Sequence, residues 1–161
     1  MTASTTYVSG QVLTAGNMNS LPWGIVDATA GGTSGRGWVQ ATSFFQVPTS
    51  VADVTGMTLT FTPVTGRLYR ARFVTRCDNN STSQTFTAQI TNASNTVLNF
   101  KELYLIATFS GIMTVETILT GLSGSTTLKA RAYASAVGNG YFNAGATSPM
   151  QFSIEDIGPS T

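Results

Sequence analysis

Three arginines separated by two and by four residues are the most conspicuous polar feature of the chain. Arg70, Arg72 and Arg76 lie within the segment GRLYRARFVTRC, residues 66–77. Because successive side chains of a β-strand point to opposite faces, these three would share one face. Such a row can bind a phosphate or sulfate, pair with acidic residues of a neighbouring subunit, or form a solvated outer face. We favour the contact between subunits. Further basic residues that could join this row are Arg67, Lys129 and Arg131.

The residue types that most enzymes use for catalysis are scarce. The chain has no histidine, which excludes Ser-His-Asp and Cys-His catalysis and histidine-ligated zinc. Only two carboxylates are adjacent, Glu155 and Asp156, and on a strand they would point to opposite faces. A glycosidase would need a distant pair such as Glu102 and Glu116. The sequence therefore predicts no catalytic residue and a protein that is not an enzyme.

Metal and cofactor sites have equally little support. The single cysteine, Cys77, excludes an internal disulfide and a thiolate metal cluster. Its place on the apolar side of a strand predicts a small buried side chain. Asp78, Asn79 and Asn80 lack the spacing of a calcium loop and predict a hairpin loop instead. We expect no metal and no cofactor.

Alternation of apolar and polar side chains after residue 37 is typical of half-buried strands. It is clearest in residues 66–77, where Tyr69, Ala71 and Phe73 alternate with arginines. The strands are predicted at approximately 38–46, 57–62, 67–77, 84–91, 96–107 (with a bend or bulge), 111–120, 126–135 and 149–156. Turn residues recur about every 10 residues, which favours an antiparallel fold over βαβ units. The predicted class is all-β, a jelly-roll-like antiparallel β-sandwich of about eight strands with an extended N-terminal arm; an eight-stranded barrel is the alternative.

Composition limits the kinds of partner. Charged residues make up 9% of the 161 residues, and eight Lys+Arg against seven Asp+Glu leave a net charge of +1. That balance disfavours nucleic-acid binding and electrostatic attachment to a membrane. No segment has the apolar length of a membrane span or the pattern of a targeting signal, so we expect a soluble protein. A mean hydropathy of +0.12 indicates surface that neighbouring subunits cover.

The chain divides into three predicted parts. Residues 1–30 form an N-terminal attachment arm, residues 31–37 (GGTSGRG) a glycine-rich hinge, and residues 38–161 the β-sandwich domain. The apolar residues of the arm follow no sustained period, so the arm must bury them against its own sheet or against other subunits. The candidate anchors are Val12, Leu13, Met18, Leu21 and Trp23.

Two segments resemble small virion proteins of tailed bacteriophages, particularly those that infect actinobacteria. YVSGQVLTAGNMNSLPWGIVD (7–27) looks like their N-terminal attachment segment, and FSIEDIGP (152–159) looks like their final strand. Separately, the strand from Gly66 to Phe73, with a tyrosine three residues after the glycine, is similar to strands in trimeric jelly-roll domains of the tumour-necrosis-factor and C1q type. The resemblance implies a structural role as a capsid decoration protein, head fibre or minor tail component, often trimeric.

These observations predict a non-enzymatic virion structural protein, foremost an outer capsid decoration or cement protein attached through its arm. The expected partners are further copies of the chain in a homotrimer, and the major capsid protein or other virion proteins. We expect no specific nucleic acid and no membrane. The protein would be made in the host cytoplasm and reside on the outer surface of the capsid or on the tail.

The alternative is a minor tail or tail-tip protein that recognises a carbohydrate on the host. Trp38, Tyr133 and Tyr141, with the loop VGNGYFNAG (137–145), would then form a shallow platform for a sugar. Otherwise these aromatic side chains fill the core or a trimer axis, which is the interpretation we favour.

Overall fold

A computed structural model of the chain describes residues 37–136, 140–145 and 148–160, and the backbone of residues 24–25 and 28–30. These residues contain twelve β-strands and no helix. Over the same residues, no helix with the length and apolar character of a membrane crossing is found. The strands are β1 (Gly24–Ile25), β2 (Ala28–Ala30), β3 (Trp38–Ala41), β4 (Phe45–Gln46), β5 (Ala52–Phe61), β6 (Arg67–Asn79), β7 (Gln84–Asn92), β8 (Val97–Leu105), β9 (Ser110–Leu119), β10 (Thr126–Ala134), β11 (Gly140–Asn143) and β12 (Met150–Pro159).

The strands form two antiparallel sheets. In the seven-stranded sheet, which we call sheet A, β6 pairs with β9 on one side and with β12 and β11 on the other. The far side of β12 carries β3 and β1, and the far side of β11 carries β4. The five-stranded sheet, sheet B, has the order β2-β5-β10-β7-β8. Strands β9 and β8 are therefore edge strands of sheets A and B.

The pairing of the eight main strands is nested. β3 pairs with β12, β5 with β10, β6 with β9, and β7 with β8. A chain folded back on itself in this way, with four pairs distributed over two sheets, is a jelly roll. The predicted β-sandwich is confirmed. The alternative of one closed barrel is wrong, because the described strands form two separate sheets.

Strand boundaries differ from the prediction where local pattern is weakest. The predicted strand 38–46 is two short strands, β3 and β4, and β5 begins five residues before the predicted start at residue 57. β11 was not predicted. It was expected to be loop because GYFN is short and lies among glycine and asparagine residues. The expected irregularity in β8 is confirmed, since its register with β7 shifts opposite Ile90 and Thr91.

The core lies between the sheets and is rich in aromatic rings. Phe142 from β11 lies at its centre, with ring centroids 5.9 Å from Phe73 and 6.4 Å from Phe86. Phe152 packs on Phe73 at 6.3 Å. Gly140 leaves room for this cluster, because a side chain there would overlap the ring of Phe86. Cross-sheet aromatic packing of this kind supplies much of the apolar burial that holds a sandwich together.

Cys77 belongs to the same core. Its side chain is fully buried on the inward face of β6, as predicted. Burial raises the pKa of its thiol to about 12, with a smaller contribution from neighbouring Asp78. A thiol that stays protonated is a poor nucleophile, and Cys77 acts as a small apolar side chain.

The C-terminal part of the predicted arm joins both sheets. β1 pairs with β12 through Gly24↔Asp156, and β2 pairs with β5 through Thr29↔Thr60. The five anchors proposed in residues 12–23 lie outside the described residues, as does most of the hinge. Gly37, the last residue of the predicted hinge, is described, and its carbonyl accepts a hydrogen bond of 2.7 Å from the Ile154 backbone N–H.

Candidate functional site

The predicted arginine row lies on the outer face of sheet A, and it is paired within its own chain. Arg70 forms an ion pair with Glu155 on neighbouring β12. Arg72 Nε lies 3.9 Å from Glu116 Oε2 on β9. The third, Arg76, donates from Nε to Asp78 Oδ1 at 2.7 Å. These pairs neutralise the row, which weakens both the anion site and the charge-based subunit contact as roles for these arginines.

The three other basic residues of the prediction are paired as well, and they do not extend the row. Arg67 binds both carboxylate oxygens of Asp156 on sheet A. Lys129 and Arg131 lie on the outer face of sheet B, where both contact Asp53, at 3.1 and 2.7 Å. Burial by itself raises the pKa of Asp53, but hydrogen bonds from these two cations lower it overall. All six basic side chains thus contact carboxylates of the same chain, with Lys129 and Arg131 sharing Asp53.

The side of the sandwich formed by the two edge strands exposes large apolar side chains. We call this surface the β8–β9 edge. Its most exposed members include Ile112 on β9, 76% exposed, and Phe100 on β8, 56% exposed. Its full set is Val97, Leu98, Phe100, Tyr104, Ile106, Phe109, Ile112 and Ile118. Phe100 and Tyr104 lie on the outer face of sheet B, whereas Ile112 and Ile118 lie on the outer face of sheet A, so the exposed apolar side chains wrap around this edge of the sandwich. Exposed apolar side chains along edge strands are typical of a surface that another chain covers.

The β8–β9 edge continues onto the outer face of sheet A. Ile118 lies opposite Arg70 and Ile112 lies opposite Arg76 in the β6–β9 register. The apolar surface therefore borders the neutralised arginine row. One side of each edge strand pairs with no other strand, because among the described strands β8 pairs only with β7 and β9 only with β6.

A second surface feature is an open cleft of about 450 Å³ at the other end of sheet A, which we call the Tyr141 cleft. Antiparallel pairing sets Tyr141 between Gln46 on β4 and Asp78 on β6. The Phe44 ring meets the Tyr141 ring edge to face, with centroids 5.6 Å apart. The lining residues are Phe44, Gln46, Asp78, Asn80, Tyr141 and Asn143.

Asp78 is the charged centre of the Tyr141 cleft. Its side chain is only 15% exposed, and burial by itself raises its pKa. Hydrogen bonds from Ser110, Asn143 and Arg76 outweigh that effect and hold the pKa of Asp78 below its ordinary value of 3.8. The carboxylate is therefore ionised at neutral pH, and its charge is balanced by Arg76.

The lowered pKa values of Asp78 and Asp53 predict acid sensitivity. In both residues the folded-state pKa lies below the ordinary value of 3.8, so their stabilising effect is complete above pH 3.8 and declines as pH falls toward the folded-state pKa. We expect the free energy of unfolding, measured by urea titration, to drop as the pH falls from 3.8. Asp78→Asn should reduce the size of this drop. An unchanged pH profile in that variant would contradict the assignment.

The predicted sugar platform is not assembled. Tyr133 lies on the outer face of sheet B, whereas Trp38 and Tyr141 lie on the outer face of sheet A. Trp38 and Tyr141 are also far apart. Across the sheet Trp38 is level with Arg72 of β6 and Tyr141 with Asp78, and these two positions are six residues, or roughly 20 Å, apart along the strand. That platform is wrong as proposed, and only Tyr141 belongs to a cleft.

The distant carboxylate pair does not converge either. Glu102 lies on the outer face of sheet B, opposite Thr87, and Glu116 lies on the outer face of sheet A, opposite Arg72. The thickness of the sandwich separates the two carboxylates. The pair of a glycosidase must instead face the same glycosidic bond. Within the described residues there is no group of three or more acidic or cysteine side chains arranged to hold a metal ion.

Sequence reasoning missed the β8–β9 edge and most of the Tyr141 cleft. The segment IMTVETIL (112–119) carries apolar residues on both strand faces, with Ile112 and Ile118 alternating with Met113 and Leu119. Apolar residues on both faces were a signal that both faces are covered. The cleft gave no such signal, because Phe44, Asp78 and Asn143 come from three distant segments.

The strand order and the nested pairing define the chain as an all-β jelly-roll domain. No protein-family model matches it, and neither does any curated protein sequence.

Several solved structures are similar in shape. A chain of the T13 viral particle of infectious bursal disease virus (IBDV) is 8% identical with a TM-score of 0.45, over 76% of this chain and 35% of that one. The globular domain of zebrafish complement 1qA is 15% identical with a TM-score of 0.40, over 81% and 94%. A carbohydrate-binding module of Cellvibrio mixtus lichenase 5A is 11% identical with a TM-score of 0.37, over 80% and 97%. The chain thus spans about a third of the length of the viral-particle chain, and nothing about function follows from likenesses at this level.

Proposed function

We propose that this chain is a non-enzymatic structural protein of a bacteriophage virion. In this proposal it is an outer capsid decoration or cement subunit that assembles as a homotrimer and attaches through its N-terminal arm. The observation that carries the proposal is the β8–β9 edge, where eight large apolar side chains lie exposed on the two edge strands and the loop between them. An isolated soluble domain gains nothing from such a surface, whereas an assembling subunit buries it.

The low charge of the chain supports the same role. With 9% charged residues and its outer-face arginines paired internally, the domain has little charge with which to keep copies apart. The resemblance of residues 7–27 and 152–159 to small virion proteins of tailed phages gives the assembly its proposed setting. The proposed partners are other copies of the chain and the major capsid protein.

We propose a division of labour between two parts of the chain. The β8–β9 edge would join copies within the trimer, and the arm would join the trimer to the underlying shell through Val12, Leu13, Met18, Leu21 and Trp23. Each arm adds only a modest net affinity, because ordering its residues costs free energy comparable to that of burying them. Three arms on one trimer act together and convert modest affinities into stable attachment.

Removing residues 1–23 tests the attachment role. The truncation ends before β1, so β1 and β2 remain to pair with β12 and β5. We expect the β-sheet circular dichroism spectrum and the oligomeric state to be retained, and the amount of protein in purified virions to fall to background in immunoblots. Normal incorporation of the folded truncated protein would contradict attachment through the arm.

The position on the particle is tested separately. We expect labelled protein in electron micrographs of virions to decorate the outside of the head. Label confined to the tail would favour the alternative, a minor tail protein, and would overturn the capsid assignment while leaving the assembly role intact.

A further inference from the structure

The Tyr141 cleft has no place in the assembly role, and its lining suits a different kind of partner. We infer that it binds one ring of a neutral saccharide, with an apolar face of the sugar on Phe44 and Tyr141 and its hydroxyls on Asp78 and the neighbouring amides. The inference does not rest on the proposed virion function. It rests on the shape, the rings and the charge balance of the cleft.

The aromatic part of the cleft is exposed but positioned. Phe44 is 66% exposed, and its ring meets Tyr141 edge to face at an interplanar angle of 79°. Tyr141 is itself fixed by strand pairing on both sides. A pyranose ring presents a face of C–H groups, and burying that face against an aromatic ring removes apolar surface from water on both partners. An exposed phenylalanine held in this way has no role in the core of its own domain.

The polar part of the cleft can both donate and accept hydrogen bonds. Asp78 accepts one from Arg76 at Oδ1 and one from Asn143 at Oδ2. Ser110 is a third donor to this carboxylate, which has about four acceptor positions, so one position is left for a sugar hydroxyl. The side-chain amides of Gln46, Asn80 and Asn143 add donors and acceptors around the same opening. Sugar hydroxyls are donors and acceptors at once, which matches this mixture.

The charge balance favours a neutral ligand. The carboxylate of Asp78 lies in the cleft. It forms an ion pair with Arg76, which lies two residues before it on the same face of β6. An anionic ligand would meet the carboxylate, and a cationic ligand would compete with an arginine already in place. The volume of the cleft, about 450 Å³, lies in the ordinary range of small-ligand sites.

Nuclear magnetic resonance titration of the full chain tests the inference. The probes are maltotriose, cellotriose and triacetylchitotriose, each added to uniformly 15N-labelled protein. We expect at least one of them to shift the backbone amide signals of Gln46, Tyr141 and Asn143 in a saturable manner. Phe44→Ala should weaken that binding about tenfold or more. Because the Phe44 side chain is mostly exposed, this variant should fold normally.

Two further variants distinguish sugar binding in the Tyr141 cleft from binding elsewhere on the protein. Asn143→Ala should also weaken binding, because it removes an amide from the lining. Tyr133→Ala, which removes an aromatic ring from the opposite face of the sandwich, should leave binding unchanged. The inference is overturned if none of the three sugars shifts the cleft signals, if the shifts map to sheet B, or if Phe44→Ala binds as the parent does. None of these results bears on incorporation into virions, so this inference and the proposed function fail independently.

Discussion

Replacing Phe100 and Ile112 together by glutamate is expected to convert the proposed trimer into folded monomers. Both side chains are largely exposed in the single chain, at 56% and 76%, so the domain itself should lose little stability. In the assembled protein the same positions would be covered, and burying an unpaired carboxylate costs several kcal/mol. At about 1.4 kcal/mol for each tenfold change, two such sites per subunit should weaken association at least a thousandfold. Multi-angle light scattering at micromolar concentration measures the change.

Phe44→Glu is the matched control for this experiment. Phe44 is as exposed as Phe100 but lies on the far side of sheet A, away from the β8–β9 edge. We expect this variant to remain trimeric. A parent protein that is monomeric, or a double variant that is still a trimer, would remove the β8–β9 edge as the self-association surface.

Phe142→Ala is expected to cost about 3–5 kcal/mol of unfolding free energy, the usual range for a buried phenylalanine. The side chain is completely buried, and its ring packs on Phe45, Phe73 and Phe86, which join both sheets. Small domains are stable by only about 5–15 kcal/mol, so the loss would remove a large share of the total. Urea titration at one fixed protein concentration measures it, because association also contributes to apparent stability.

Phe44→Ala provides the comparison with the same change in side chain. Its ring is exposed, so the expected loss is within about 0.5 kcal/mol. If Phe142→Ala cost no more than Phe44→Ala, the placement of β11 at the centre of the core would be wrong.

Phe142 also illustrates what the sequence could and could not predict. In β6, Tyr69, Ala71 and Phe73 alternate with arginines, and the inward face was predicted correctly. β11 has four residues, too few for an alternation to be recognised. Its strand conformation depends on pairing with β6 and β4, which lie far away in sequence.

The candidate surfaces show the same limit. The arginine row was predicted to share one face, and it does, but the pairing of Arg72 with Glu116 and of Arg70 with Glu155 depends on which strands flank β6. The Tyr141 cleft likewise exists only because β4, β11 and β6 are neighbours. Periodicity assigns a residue to a face, whereas strand order decides what lies beside it on that face.

The internal pairing of the basic residues has a consequence for the environment in which copies would hold together. Ion pairs that bridge subunits weaken as dissolved salt rises, because mobile ions screen them. Here the six paired cations satisfy carboxylates of their own chain, and the large exposed side chains of the β8–β9 edge are mostly apolar. Cohesion of that kind is insensitive to screening and strengthens slightly as salting-out ions are added. Copies held together in this way would stay associated in dilute and in concentrated salt solutions alike.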